Sequence, residues 1–517
     1  MMQNKSIVQK TSNKIRCDKL LRKKIRSFIV KISLYGSLTM HTFRKLVNVT
    51  LHECNFNFLP KEFGTLHHLQ EITLSSNNVN TTQSAWEWLE QISMRKNLKL
   101  AITDYDLLNL PLQITCLKNL TTLDITGNKI DSVPKEFGNL PLLDLDLSYN
   151  NLGRSKQSAW EWLMQAPIRN NLRKLNLSHN YITTLPLQIN CLNNLQILFL
   201  CENKISFLPK EFGTLSQLIT LDLMDNLLGR CKHATWEWLE TVIRDNLLEL
   251  DIGCNFLTEF PLQITCMKNL RWLDISENKI EFLPKELGTL PHLTCLNLTS
   301  NHLGRSGRNA WEWLEQTAVR NKLSELYLCD NFLTELPPQI GKLNVLTILK
   351  LTGNELKRLP QSLANLKNLK ELDLCNNYLL YLPGNMAHLS ADIDVDDNPF
   401  NLDYDSDDDF TMNSKVPSLV DCSADVILKS GLNCINILPQ ILVRYLDEKK
   451  YCFFCETPCF FYYEKRFIKF SEYVKILNIK FDGTPNIMNA SFQCYACSSE
   501  CAEIMDLRGY EVIIGVI

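Results

Sequence analysis

Six cysteines near the end of the chain are spaced for metal chemistry: Cys452, Cys455 and Cys459 in "CFFCETPC", and Cys494, Cys497 and Cys501 in "CYACSSEC". A C-x-x-C pair turns the chain sharply enough to put two thiolates on one tetrahedral ion, and two such pairs read as a zinc site. Spacing alone selects Cys452, Cys455, Cys494 and Cys497. Structural or redox-active thiols are the competing reading. No His or acid accompanies the cysteines in the pattern of an open catalytic site, so a bound zinc ion would be structural. Such an ion contributes about 10–16 kcal/mol to a small module.

Two short amphipathic stretches precede these cysteines. "PSLVDCSADVIL" sets Leu419, Cys422, Ser423 and Val426 at helical spacing, with Pro417 and Ser418 as start signals. "ILPQILVRYL" sets Leu438, Leu442, Tyr445 and Leu446 on another face. Read plainly, they are core helices of a small domain. Before them lies an acidic linker, residues 401–416, in which Ser406 precedes three aspartates.

What must carry this module is a repeat. L-x-L-x-x-N-x-L recurs from "LDLSYNNL" (Leu145–Leu152) to "LKLTGNEL" (Leu349–Leu356), giving about fifteen units over residues 46–400. Between copies runs "LPLQITCLKNL" or "FLPKELGTLPHL". The pattern resembles the leucine-rich repeat family. The resemblance implies an α/β solenoid with a curved parallel sheet. Alternating leucines point inward from each short strand, and the Asn amide bonds backbone groups of adjacent coils. Pro in the return segment favours an extended or 3₁₀-like path.

Four longer units each contain Trp-Glu-Trp-Leu, starting at Trp86, Trp160, Trp236 and Trp311, and hold eight of the nine tryptophans. They recur with a period of about 75 residues, as do Cys116, Cys191 and Cys266. In "SAWEWLEQI", Ala85, Trp88, Leu89 and Ile92 form a helical stripe, so these units are expected to carry a helix and the tryptophans to belong to the frame. The strand positions open to a partner include Phe199, Met224, Trp272 and Tyr327 among aspartates, which suits a protein segment with basic and apolar residues.

The C-terminal region resembles leucine-rich repeat proteins of the Cullin-2 ubiquitin-ligase substrate-receptor type, the group of leucine-rich repeat-containing protein 58 and, more loosely, leucine-rich repeat protein 1. The resemblance rests on the "SL" helix, "LPQILVRYL", "IKF" at Ile468–Phe470 and "CSSEC" at Cys497–Cys501. It implies metal ligands Cys452, Cys455, Cys497 and Cys501, with Cys494 and Cys459 as alternatives. It implies an elongin B/C-binding box at Ser418, Leu419, Ser423 and Ile427, where Ser423 replaces the preferred Cys and Cys422 sits one residue early. It also implies a Cullin-2 box at Leu438, Pro439, Leu442 and Leu446. The expected role is a non-catalytic substrate receptor; a signalling scaffold without a ligase is the alternative.

Composition narrows the other classes. The net charge of −3 gives no reason to expect nucleic acid or membrane as partner, and no apolar run reaches the roughly 18 residues that span a bilayer. There is no phosphate-binding loop. Nineteen cysteines without a signal peptide suit a reducing, cytoplasmic or nuclear location. Residues 1–45, with twelve Lys or Arg and one acid, are expected to form a disordered basic leader. Residues 417–517 are expected to form a helical and Cys-rich zinc-binding module.

Overall fold

The computed structural model describes residues 27–30, 47–52, 59, 61–66, 68–75, 83–91, 98–154, 157–231, 236–305, 311–400, 418–430, 438–460, 463–469 and 491–508. The acidic linker, Ser406 and most of the expected leader lie outside them. The chain divides into two compact units, Met1–Asn255 and Phe256–Ile517.

In the first unit, ten described strands run parallel in chain order from Ser27–Val30 to Glu249–Asp251. Inward leucines stay in register from strand to strand, as in Leu145↔Leu175 and Leu198↔Leu221. Ser27–Val30 falls within the expected leader, yet it pairs with Asn48–His52, with Phe28 opposite Val49. The tetrapeptide Ser-Phe-Ile-Val is strand-prone, and this outweighs the basic residues around it. In the second unit, six strands from Trp272–Asp274 to Asp392–Asp394 repeat the arrangement. The return segments are short 3₁₀ turns entered through proline, such as Leu112–Cys116 after Pro111.

The repeat asparagines are buried and fully used. Asn203 Nδ2 donates to the carbonyls of Leu177 at 3.0 Å and Leu200 at 2.9 Å. Its Oδ1 accepts from the N–H groups of Asn180 at 3.1 Å and Ile182 at 2.9 Å. Glu202, just before it, holds a left-handed backbone with φ of 51°, which turns the chain off the strand. Asn203→Ala strands four buried backbone groups, so urea denaturation is expected to show a loss of about 2–5 kcal/mol.

The Trp-Glu-Trp-Leu segments differ from the expected helices. They are 3₁₀ turns, Gln83–Gln91, Gln157–Met164, Glu237–Glu240 and Glu312–Glu315; the second and fourth lead into short α-helices, Ala166–Asn171 and Thr317–Arg320, and the third into another 3₁₀ turn, Val242–Asp245. A 3₁₀ turn advances about 2.0 Å per residue against 1.5 Å in an α-helix, so it crosses the repeat with fewer residues. Ile92 lies outside the described residues.

The second tryptophan of each pair, Trp88, Trp162, Trp238 and Trp313, is fully buried. Phe63, Phe137 and Phe212 of the preceding coil meet the first three edge-on, with centroids 5.4, 6.0 and 5.5 Å away. The glycine after each Phe, and Gly288 after Leu287, faces the tryptophan carbonyl. A Cβ there would lie 2.2 Å from it at Gly64 and 1.9 Å at Gly288.

The C-terminal module is joined to the last repeats through backbone pairing. Ser491–Ala496 pairs antiparallel with Glu464–Lys469 and parallel with Leu382–Pro383. Lys450–Tyr451 and Pro458–Cys459 form a hairpin, and helices Leu419–Ser430, Gln440–Asp447 and Ser499–Arg508 complete the module.

Candidate metal centre and docking helices

Three elements deliver four sulfurs to one point. Cys452 and Cys455 lie on the turn of the hairpin, Cys497 follows the Ser491–Ala496 strand, and Cys501 sits in the first turn of the Ser499–Arg508 helix. The hairpin turn closes through Cys452 N–H to Thr457 O at 2.9 Å and Glu456 N–H to Cys452 O at 3.0 Å. Glu456 takes the left-handed conformation, φ 54°, that reverses the chain. On the helix side, the Cys501 N–H donates to Ser498 Oγ at 3.2 Å.

All four sulfurs lie within 4.8 Å of one another. Cys455 and Cys497 are 3.4 Å apart, Cys497 and Cys501 3.7 Å. A tetrahedral ion with bonds of about 2.3 Å needs sulfurs about 3.8 Å apart, so this cluster can hold one metal ion. Burial pushes the Cys452 thiol up, opposed by the backbone N–H groups of Cys455, Cys497 and Phe454. Burial also acts upward on Cys455, but hydrogen bonds from Thr457 and the neighbouring cysteines outweigh it and bring the thiol to about 7.

The set chosen by spacing alone is corrected by this geometry. Cys494 lies outside the cluster, fully buried and turned toward Gly384, where an added Cβ would come 2.5 Å from its sulfur. Successive strand residues face opposite sides, and register, not spacing, decides which Cys of "CYAC" joins. Cys459 is also outside, its sulfur 3.4 Å from the Thr457 carbonyl, and burial pushes it up to about 12.

The two stretches read as helical form helices over Leu419–Ser430 and Gln440–Asp447, with Leu438 ahead of the second, but much of their apolar surface is exposed and does not form a core. Ser418 caps the first: its Oγ accepts from the Asp421 N–H at 3.1 Å, and Asp421 Oδ2 accepts from the Ser418 N–H at 2.8 Å. Ser423 uses its hydroxyl on the Leu419 carbonyl, 2.7 Å away. Tyr445 on the second helix bonds Asp421 and packs against Phe460 at 4.7 Å, tying the helices to the hairpin. Leu419 is 83% and Ile441 76% exposed, with Val420, Val426, Pro439 and Leu442 also exposed. Ile427 and Leu438 are half-buried, whereas Leu446 is buried with Val443.

The residues expected on the open strand face fall in different units. In the first, Phe199 is half-buried with Lys174 Nζ 5.7 Å from its ring centre, and Met224 is exposed. In the second, Trp272 is half-buried beside Cys295, and Tyr327 donates to Glu325 at 3.0 Å. Burial first, then Glu325, raises the Tyr327 hydroxyl to about 12.

Sequence reasoning missed one ionic seat. Arg444 on the second helix bonds Glu315 at 2.8 Å and Glu312 at 3.2 Å, both in the fourth tryptophan unit, and Asp447 pairs with Lys342. One signal was available: Lys342 stands where the other copies have Cys116, Cys191 and Cys266.

The comparisons agree with this architecture. The leucine rich repeat sequence model matches residues 170–228, 245–303 and 321–379, and a second repeat model matches 119–140. A leucine-rich repeat protein of Leptospira interrogans is 31% identical with a TM-score of 0.61, and the match covers 74% of this chain and 92% of that one. The chain belongs to the leucine-rich repeat family. It is an α/β leucine-rich repeat solenoid. The volume-regulated anion channel subunit LRRC8A of Rattus norvegicus is 31% identical over 104 residues, 19% of this chain and 12% of that protein. A Drosophila melanogaster leucine-rich repeat and calponin homology domain-containing protein is 34% identical over 156 residues, 30% of this chain and 18% of that one. The chain thus spans under a fifth of the length of these curated relatives. No helix among the described residues is long and apolar enough to cross a membrane.

Proposed function

We propose that this leucine-rich repeat protein is the substrate receptor of a Cullin-2/elongin ubiquitin ligase. The repeats hold a protein target on their open strand face. The Leu419–Ser430 helix docks elongin B/C, the Gln440–Asp447 helix docks Cullin-2, and one zinc ion on Cys452, Cys455, Cys497 and Cys501 braces both. Zinc supplies a rigid cross-link here. The chain's own residues bind and orient, and catalysis consists of raising the effective concentration of target lysines near a ubiquitin-charged enzyme.

The observation that carries this reading is the pair of helices placed after the repeats with Leu419, Val426, Ile441 and Leu442 turned to solvent. An apolar surface of that kind on a small module invites a protein partner. Buried Leu446 serves the module's own packing, so Cullin-2 would meet Pro439, Ile441 and Leu442. Pull-down from cell extract with wild type, Leu419→Asp and Leu442→Asp tests it: elongin B/C and Cullin-2 are expected with wild type and reduced roughly tenfold or more in the variants. A wild-type eluate lacking both, with other proteins retained, leaves the non-ligase scaffold as the reading.

A further inference from the structure

The open strand face of the first unit is acidic around an apolar centre. From Thr122 to Asp251 each strand sets two residues on that face, one on either side of a buried leucine. Of these twelve residues six are acids, Asp124, Asp144, Asp146, Asp222, Glu249 and Asp251, and one, Lys174, is a cation. Ile197 and Phe199 stand half-buried between the two acidic groups, with exposed Met224 just beyond the next strand.

Hydrogen bonds fix the acids without neutralising them. Asp124, Asp146, Asp222 and Asp251 each accept from the backbone N–H two residues on, at 2.9–3.0 Å. Asp146 also accepts from Asn176 Nδ2, and Glu249 from Thr220 Oγ1, both at 2.9 Å. All these donors are uncharged. Burial comes first in raising the Asp144 carboxyl; Lys174, 3.9 Å away, opposes it, and Asp146 and Asp124 add to it. Further positive charge on this face relieves that crowding.

The same unit holds the complementary segment. Residues 1–26, outside the described residues, contain nine Lys or Arg and one acid, Asp18, interleaved with Ile7, Val8, Ile15, Leu20, Leu21 and Ile25. They lead into Ser27–Val30, the first strand of the same sheet. Nine strand steps separate it from Glu249–Asp251, about 43 Å at the usual strand spacing, and 26 residues reach up to about 85 Å.

We propose that the basic segment of residues 1–26 docks on this strand face of its own chain. Its lysines and arginines meet the two acidic groups, and its aliphatic residues meet Ile197, Phe199 and Met224. The segment is then a built-in competitor that a target of this face must displace. Its docking involves only the strand face and is independent of any ligase.

Limited trypsin digestion of the full-length protein, with cuts after Lys5 to Arg26 followed by mass spectrometry, reads the undocked fraction. Asp124→Asn, Asp146→Asn, Asp222→Asn and Asp251→Asn together remove charge and keep the turns, because Asn176 makes the same bond to the Ser178 N–H at 3.0 Å. Cleavage of the segment is expected to speed up roughly tenfold or more in this variant, and in the unmutated protein as salt rises. Glu136→Gln with Glu211→Gln, exposed acids on the return turns, is expected to leave the rate unchanged. Circular dichroism melts confirm that the variants fold. In a second arm, a fluorescent peptide of residues 1–26 is added to wild type and to full-length protein carrying Lys5→Glu, Lys10→Glu, Lys14→Glu, Arg16→Glu and Lys19→Glu. Saturable binding is expected to be roughly tenfold tighter to that variant, whose own segment has left the face, and to vanish when the four Asn substitutions are added. Equal cleavage rates in wild type and the four-Asn variant overturn the proposal, as does equal peptide binding to wild type and the charge-reversed variant. Protection that grows with protein concentration also overturns it, because the occupant would then be the segment of a second copy.

Discussion

Cys497→Ser is expected to abolish stoichiometric zinc binding and to loosen the hairpin, the Ser491–Ala496 strand and the Leu419–Ser430 and Gln440–Asp447 helices. The Cys497 sulfur lies 3.4 Å from that of Cys455 and 3.7 Å from that of Cys501. Its loss leaves three thiols for an ion that needs four, and forfeits most of about 10–16 kcal/mol. The two-stranded hairpin and short helices are marginal alone, while strand pairing with Leu382–Pro383 and the Arg444 and Asp447 ion pairs hold the rest of the module to the repeats. The effect reaches the docking helices because Tyr445 packs on Phe460 beside the hairpin and bonds Asp421 of the other helix. Cys494→Ala is the control. It removes a buried thiol outside the cluster, and one zinc per chain is expected to remain, with a modest loss of stability. Metal analysis of the purified protein, with hydrogen exchange over residues 418–460 and 491–508, reads both outcomes. Chelation of the wild type reproduces the Cys497→Ser exchange pattern.

Trp162→Ala is expected to cost about 3–5 kcal/mol, the range for deleting a large buried aromatic. Trp162 is fully buried and Phe137 meets its ring edge-on, so the cavity opens between two coils that cannot close independently. Gly138→Ala attacks the same junction from the other side. Its Cβ would come 2.0 Å from the Trp162 carbonyl and force the coils apart. Denaturant titration followed by circular dichroism should place both variants well below wild type. Loss of a partner at unchanged stability would instead make the tryptophans a binding device.

The repeat was legible because its physics is periodic. Leu145, Leu175 and Leu198 share one role at one offset, and Asn203 does for its coil what Asn226 does for the next. The buried tryptophans followed from their inward stripe. Their local geometry did not, because a stripe at i, i+3 and i+4 fits a short α-helix and a 3₁₀ turn alike. The four-cysteine set was legible only through resemblance, since spacing cannot tell Cys494 from Cys501 when strand register and a helix start decide which sulfur turns inward. Contacts between distant segments were the least visible: nothing local to Arg444 points to Glu312 and Glu315, more than 120 residues earlier. Even so, Lys342 broke the cysteine pattern of its three counterparts, a departure that marked the place where the chain folds back on itself.

The central claim, that the C-terminal module docks a ligase, is tested most directly by reconstitution. Purified full-length protein is mixed with elongin B/C and Cullin-2 and resolved by size-exclusion chromatography with light scattering. The account predicts one stoichiometric complex, which forms with wild type and is lost with Leu419→Asp and with Cys497→Ser. Separate elution of correctly folded, zinc-loaded wild type from elongin B/C and Cullin-2 would contradict it.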